Sequence, residues 1–192
     1  MDDLIITCTD ALPQPNTPTC GIDYGERVVR VIYMKESDSA AWVASVSASD
    51  TPTAAEFELG IGSDYLTVIN GITNGHRIEQ GATELSGDDT ESGGTERKDV
   101  QYRIEFRIKR IDEAISRMTE KLDRYPVLRM WYFTEKDYCF GGVSGYKVSP
   151  NFSLITMEGK GVPPYISSFN DFTATGEDYA RYDDDYTALD NT

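Results

Sequence analysis

Val100-Gln101-Tyr102-Arg103-Ile104-Glu105-Phe106-Arg107-Ile108 alternates polar and apolar side chains without a break, and Ile111, Ile115, Met118 and Leu122 then recur at spacings of four, three and four. The first pattern has the period of a strand with one buried face, and the second is the apolar stripe of a helix. Together they predict a strand over 100–108 and a helix over 111–124 that packs on the sheet. On the outer helix face Glu113 precedes Arg117 and Glu120 precedes Arg124 by four residues, the favourable order for an acid and a base, and Pro126 ends the segment.

Outward from this pair the chain reads as mostly strands. Glu26–Met34 places Val28, Ile32 and Met34 on one face with Arg30, and Val29, Val31 and Tyr33 on the other, as in a strand covered on both sides. Residues 36–53 have loop composition around Trp42, and short strands resume at 55–59 and 65–69. Asn74-Gly75 is the strongest two-residue turn signal and predicts a hairpin within 71–85. Ser86–Thr95 has no apolar residue and reads as a long solvated loop. Further strands are expected at 127–133, 138–140, 143–148, 152–157 and 165–169, punctuated by Gly141-Gly142, Pro150-Asn151 and Pro163-Pro164. The expected fold is mainly β, a β-sandwich or barrel with one packed α-helix and extended arms. Residues 26–175 form the domain, 1–25 a Pro-rich N-terminal arm and 176–192 an acidic C-terminal arm.

The 192 residues suit one domain, and a hydrophobic fraction of 39% is enough for a packed core. Lys+Arg 18 against Asp+Glu 33 leaves a net charge of −15, which argues against a tight grip on phosphate backbones. The charge is polarised along the chain. Residues 97–129 hold ten basic and six acidic side chains, a net +4, whereas 176–192 sets six acids against Arg181, a net −5. Such asymmetry points to a surface that meets a complementary one. No apolar run approaches membrane-spanning length, and the acidic start Met1-Asp2-Asp3 is unlike a signal peptide. The chain is therefore expected to be made in a cytoplasm, away from membranes.

Chemistry-bearing motifs are sparse. His76, the single histidine, follows the Asn74-Gly75 pair and reads as an exposed residue rather than a general base. Cys139 between Tyr138 and Phe140 reads as a buried thiol, and Cys8 and Cys20 as reduced thiols, their pairing left open. Asp88-Asp89-Thr90-Glu91 with Asp99 only loosely follows a calcium loop, because Thr90 and Ser92 replace the usual acids. Gly141-Gly142-Val143-Ser144-Gly145 lacks the frame of a phosphate loop or a nucleophile elbow and reads as a bulge or turn. No catalytic residue, metal site or cofactor is expected, and the chain is not expected to be an enzyme.

The order of a polar loop (Gly87-Asp88-Asp89-Thr90-Glu91-Ser92-Gly93-Gly94), a strand, one amphipathic helix and closely spaced strands (Arg129-Met130-Trp131-Tyr132-Phe133, Phe140-Gly141-Gly142) resembles the tail tube proteins of long-tailed bacteriophages. The same segments look like virion structural proteins from phages of Bacteroidota. The resemblance covers 71–157. It implies a homo-oligomer whose rings stack into a tube with other virion proteins, assembled in the host cytoplasm, with an acidic channel that passes DNA without specific binding. The expected interface residues are Asp88, Asp89 and Glu91 in the loop, Arg103, Arg107 and Arg110 in the basic span, and Tyr179, Tyr182, Asp183, Asp184, Asp185 and Tyr186 in the C-terminal arm. Tyr179, Tyr182, Tyr186 and Leu189 fall at helical spacing, a stripe suited to docking on a neighbouring subunit. Two alternatives are a ring or connector protein of a short-tailed virion and a carbohydrate- or surface-binding β-sandwich module with Trp42, Tyr65 and Trp131 as its platform.

Overall fold

The computed structural model describes residues 27–46, 51–86, 95–156, 161–174 and 181–183, together with Asp185, Tyr186 and Leu189. Strand β1 (Arg27–Lys35) leads through a 3-10 turn to helices α1 (Ser39–Ser45) and α2 (Ala54–Gly62). Strands β2 (Leu66–Ile69), β3 (Thr73–Ser86) and β4 (Thr95–Ile108) precede α3 (Glu113–Asp123). After it come β5 (Leu128–Thr134), β6 (Tyr138–Phe140), β7 (Tyr146–Ile155), β8 (Tyr165–Ala174) and β9 (Arg181–Asp183).

Strands β1, β3, β4, β8, β7 and β5 pair in that order, each antiparallel to the next, and β5 pairs back to β1, so six strands close a barrel. Three short strands extend it: β2 along the second half of β1, β6 along the end of β5, and β9 on β6. Closure removes most of the sheet edges that a sandwich would leave.

The missing polar alternation in β1 and β5 has a direct cause: each separates two cores. Val31 and Tyr33 of β1 and Leu128, Met130 and Tyr132 of β5 fill the barrel. Ile32 and Met34, with Trp131 and Phe133, point outward into a second core under Trp42 of α1, Phe57 of α2, Tyr186 and Leu189. A register shift between Val28 and Arg30 turns Val28 into the barrel, away from the Ile32 and Met34 face on which strict alternation had placed it.

The barrel is a packed interior rather than a channel, as expected for so few strands. Its polar centre is satisfied internally: the Tyr33 hydroxyl donates to Asn170 Oδ1 at 2.6 Å, and Asn170 Nδ2 donates to Ser168 Oγ at 3.0 Å. Burial raises the Tyr33 phenol far above its ordinary range, so it stays protonated. Helix α3 links the end of β4 to the start of β5 and packs Ile115, Met118 and Leu122 on the core at that end, with Ile111 just ahead of it. Asp112 caps it, accepting from the Ile115 amide at 2.9 Å, and Glu113 pairs with Arg117. The opposite end is filled by aromatic rings, Tyr132 stacked on Phe140 at 4.8 Å and Tyr146 tilted against Phe172 at 4.4 Å, with the Arg77 guanidinium 4.8 Å from the Tyr102 ring.

The structure corrects four expectations. Among the described residues there are three α-helices rather than one. Residues 55–59, expected as a strand, lie in α2, where Thr53 and Glu56 form a reciprocal capping box. Asn74-Gly75 does not turn the chain: β3 runs straight through, and the pair makes a bulge opposite β4, with Asn74 at φ 52 and a shift in register between Thr73 and His76. The expected strands at 143–148 and 152–157 are one strand, β7, in which Pro150 lies beyond Val148, the last residue paired with β5. Pro150 is tolerated there because β7 pairs only with β8 at that point.

Candidate assembly interface

The outer face of β3, β4 and β8 carries Arg103 and Arg107, two of the arginines expected at an interface, and Arg110 follows just after β4. β4 turns Arg103, Glu105 and Arg107 outward, opposite Asp171, Phe169 and Ser167 of β8, and β3 adds His76 and Ile78. Arg103 grips Asp171 through two hydrogen bonds, Nη2 to Oδ2 at 3.0 Å and Nε to Oδ1, and lies 5.5 Å from the Phe169 ring. The hydrogen bond to Asp171 raises the Arg103 pKa further. Arg107 stacks 4.7 Å from the Tyr165 ring. Arg110, 89% exposed, meets only Asp112 at 3.7 Å among the described residues. Of the three, Arg103 is committed within its own chain and Arg110 is available to a partner.

The second feature is backbone. Strand β1 pairs with β3 only at Arg27↔His76 and Val28↔Gly75. Among the described residues the β4–β8 pairing ends at Val100↔Ala174, while β3 and β4 stay paired out to Ser86↔Thr95. The pair therefore continues past the barrel as a two-stranded ribbon about 17 Å long, at roughly 3.4 Å per residue. A ribbon of this kind is marginal alone.

The remaining expected interface residues divide. Asp88, Asp89, Glu91, Tyr179 and Asp184 lie outside the described residues. Tyr182 and Asp183 belong to β9, whose backbone pairs with β6 at Cys139↔Tyr182 and Tyr138↔Asp183. Asp185 is exposed. Tyr186 is a correction: it is fully buried in its own chain, together with Leu189. The helical spacing misled because 181–183 is a strand. Tyr186 and Leu189 are drawn inward by polar groups that need acceptors: Arg30 Nη1 donates to the Tyr186 carbonyl at 3.0 Å and Asn70 Nδ2 to the Leu189 carbonyl at 2.9 Å. The Tyr186 hydroxyl donates to the Pro52 carbonyl at 3.1 Å. Arg30 also donates from Nε to Asn70 Oδ1 at 2.9 Å and lies 5.3 Å from the Phe133 ring. Sequence reasoning missed this anchor; its one visible signal was an arginine inside an otherwise apolar strand.

Of the proposed carbohydrate platform only Tyr65 is exposed, at 44%, since Trp42 and Trp131 are buried in the second core. Their indole N–H groups end on the glycine-rich turn, Trp131 donating to the Gly142 carbonyl at 2.7 Å and Trp42 to the Val143 carbonyl at 3.1 Å. Gly141, at φ 138, could not carry a side chain, because its Cβ would lie 2.7 Å from Trp131. Cys139 is buried, and desolvation pushes its thiol well above the ordinary value. His76 is exposed and holds Asn74 O at 2.9 Å through Nδ1. Among the described residues no group of three or more His, Cys, Asp or Glu side chains gathers as a metal site would require. No family model, curated protein or solved structure matches the chain.

Proposed function

We propose that this chain is a virion structural protein whose copies associate edge to edge into rings, and that the rings stack as a phage tail tube. The observation that carries the reading is the β3–β4 ribbon, which among the described residues extends past the β4–β8 pairing, a surface that closed symmetry between copies would cover. The net charge of −15 suits a wall past which DNA slides without adhering. A solid barrel interior suits a building block, with any channel enclosed between copies.

The test is the size and shape of the purified protein under native conditions, by light scattering and negative-stain microscopy. Stacked rings or tubes support the proposal, unstacked rings favour the connector of a short-tailed virion, and a monomer at every concentration tried overturns both. Deleting 87–94 and rejoining the ribbon with a two-residue turn should leave a folded subunit that no longer assembles. Reversing Arg103, Arg107 and Arg110 to Glu should weaken association in a salt-sensitive way, with Arg110 supplying most of the effect, since single exposed pairs contribute at most about 1 kcal/mol.

A further inference from the structure

A cavity of about 440 Å³ opens between α3 and the ends of β1 and β2. Its floor is apolar, with Met118 and Leu122 from α3 and Leu128 from β5. Its rim is cationic: Lys35, Arg117 and Lys121 stand around it against a single acid, Asp64. Arg117 is paired with Glu113, and Lys35 lies 5.6 Å from the Tyr125 ring, whereas Lys121 has no ion pair among the described residues. In a chain of net charge −15, an apolar hollow ringed by cations stands apart from its surroundings. The chemistry it fits is a short peptide with aliphatic side chains next to carboxylates.

The chain contains such a peptide. Met1-Asp2-Asp3-Leu4-Ile5-Ile6 sets two carboxylates directly before three large aliphatic residues. Residues 87–94 have the acids but no apolar residue, so they could not fill the floor. We infer that the cavity between α3 and β1 receives residues Met1–Ile6 of a second copy, with Leu4 to Ile6 on the apolar floor and Asp2 and Asp3 against Lys121 and Lys35.

Strand direction argues for a second copy. The N-terminal arm joins β1 at Arg27, at the end of the barrel towards which the ribbon points, whereas the cavity lies at the other end, beside Lys35. Exit and receptor at opposite ends make a head-to-tail contact, which propagates along a stack instead of closing on itself. The twenty residues between Ile6 and Arg27 can span up to about 70 Å, ample to reach an adjacent copy. This inference rests on the stacking proposed above, although the contact itself needs only two copies.

Photo-cross-linking of the full chain tests it. Leu4 is replaced by photo-leucine in one batch of protein, which is mixed with isotopically labelled wild-type chain before irradiation, and linked peptides are identified by mass spectrometry. The expected product joins Leu4 of one copy to the segment 114–128 of the other. Lys121→Glu should lower its yield about fivefold, and adding Asp3→Lys should restore it, which a merely structural role for Lys121 would not produce. Links confined to a single chain, or links to any other surface, overturn the inference. Tubes seen by microscopy without this link would overturn it while leaving the proposed function standing; the link in a non-stacking dimer would do the reverse.

Discussion

Gly75 shows how one atom can decide a register. A Cβ at this position would lie 2.1 Å from the Val28 carbonyl oxygen, which belongs to backbone and cannot swing aside. Among the described residues the close approach lies at the seam between β1 and β3, Val28↔Gly75 and Arg27↔His76, so it also closes the barrel. Gly75→Ala should therefore destabilise the protein by at least about 1–3 kcal/mol, the usual cost of forcing atoms into a packed site. Urea unfolding followed by circular dichroism would measure it, and an unchanged midpoint would contradict the closure described here.

Glu36 offers a test in pH. Hydrogen bonding from Arg129, whose Nη2 donates to Oε1 at 3.1 Å, holds the Glu36 carboxyl below its ordinary value of 4.5, helped by the charge of Lys147. A carboxyl with a lowered folded pKa contributes stability that is complete above its unfolded value and fades as pH falls through the folded one. Glu36→Gln should lower the melting temperature at pH 7, and the gap from wild type should close as the pH is taken towards 3. Because the group is partly exposed, the gap should be small and should shrink in high salt.

Among elements, α3 rests on a narrow anchor. Leu122 is 6% exposed, whereas Met118 is only half-buried beside the cavity, so the two substitutions should differ. Leu122→Ala should cost about 2–5 kcal/mol and Met118→Ala clearly less, as read from denaturation midpoints. Equal losses would mean that the cavity beside Met118 is not open. The period of 100–108 and the stripe of 111–122 made β4 and α3 legible because each buries one face and leaves the other wet. Both faces of β1 and β5 are buried, so their sequences showed strands but not the second core on the outer side. Helices α1 and α2 were illegible for a related reason. Both are short; α1 is mostly Ala and Ser around Trp42, and α2 buries only the small Ala54 and Gly60 beside Phe57, so neither shows a stripe of large apolar residues. Asn74-Gly75 carried a real signal for positive φ, but tertiary pairing with Arg27 and Val28 used it for a bulge instead of a turn.

For the whole molecule the C-terminal segment changes role. Composition suggested a separate acidic arm, yet β9 pairs with β6, and Tyr186 and Leu189 complete the second core of the same chain. Truncation after Thr175 should remove two buried side chains and leave Arg30 and Asn70 without the carbonyls they now reach. A loss of at least about 3 kcal/mol is expected, together with new binding of a hydrophobic dye. If the truncated chain melts with the full-length one, the segment is only resting on the surface.

Strands β1 and β5 are a party wall: one face of each belongs to the barrel core and the other to the layer under α1 and α2. Neither layer can open without exposing the far side of the same two strands, so the two should come apart together. In amide hydrogen exchange, the slowest protons should be those of Val31–Met34 and Met130–Phe133, exchanging only through global opening, while the β3–β4 ribbon exchanges through local excursions. A molecule with this arrangement is rigid where its layers meet and yielding where it reaches past its barrel.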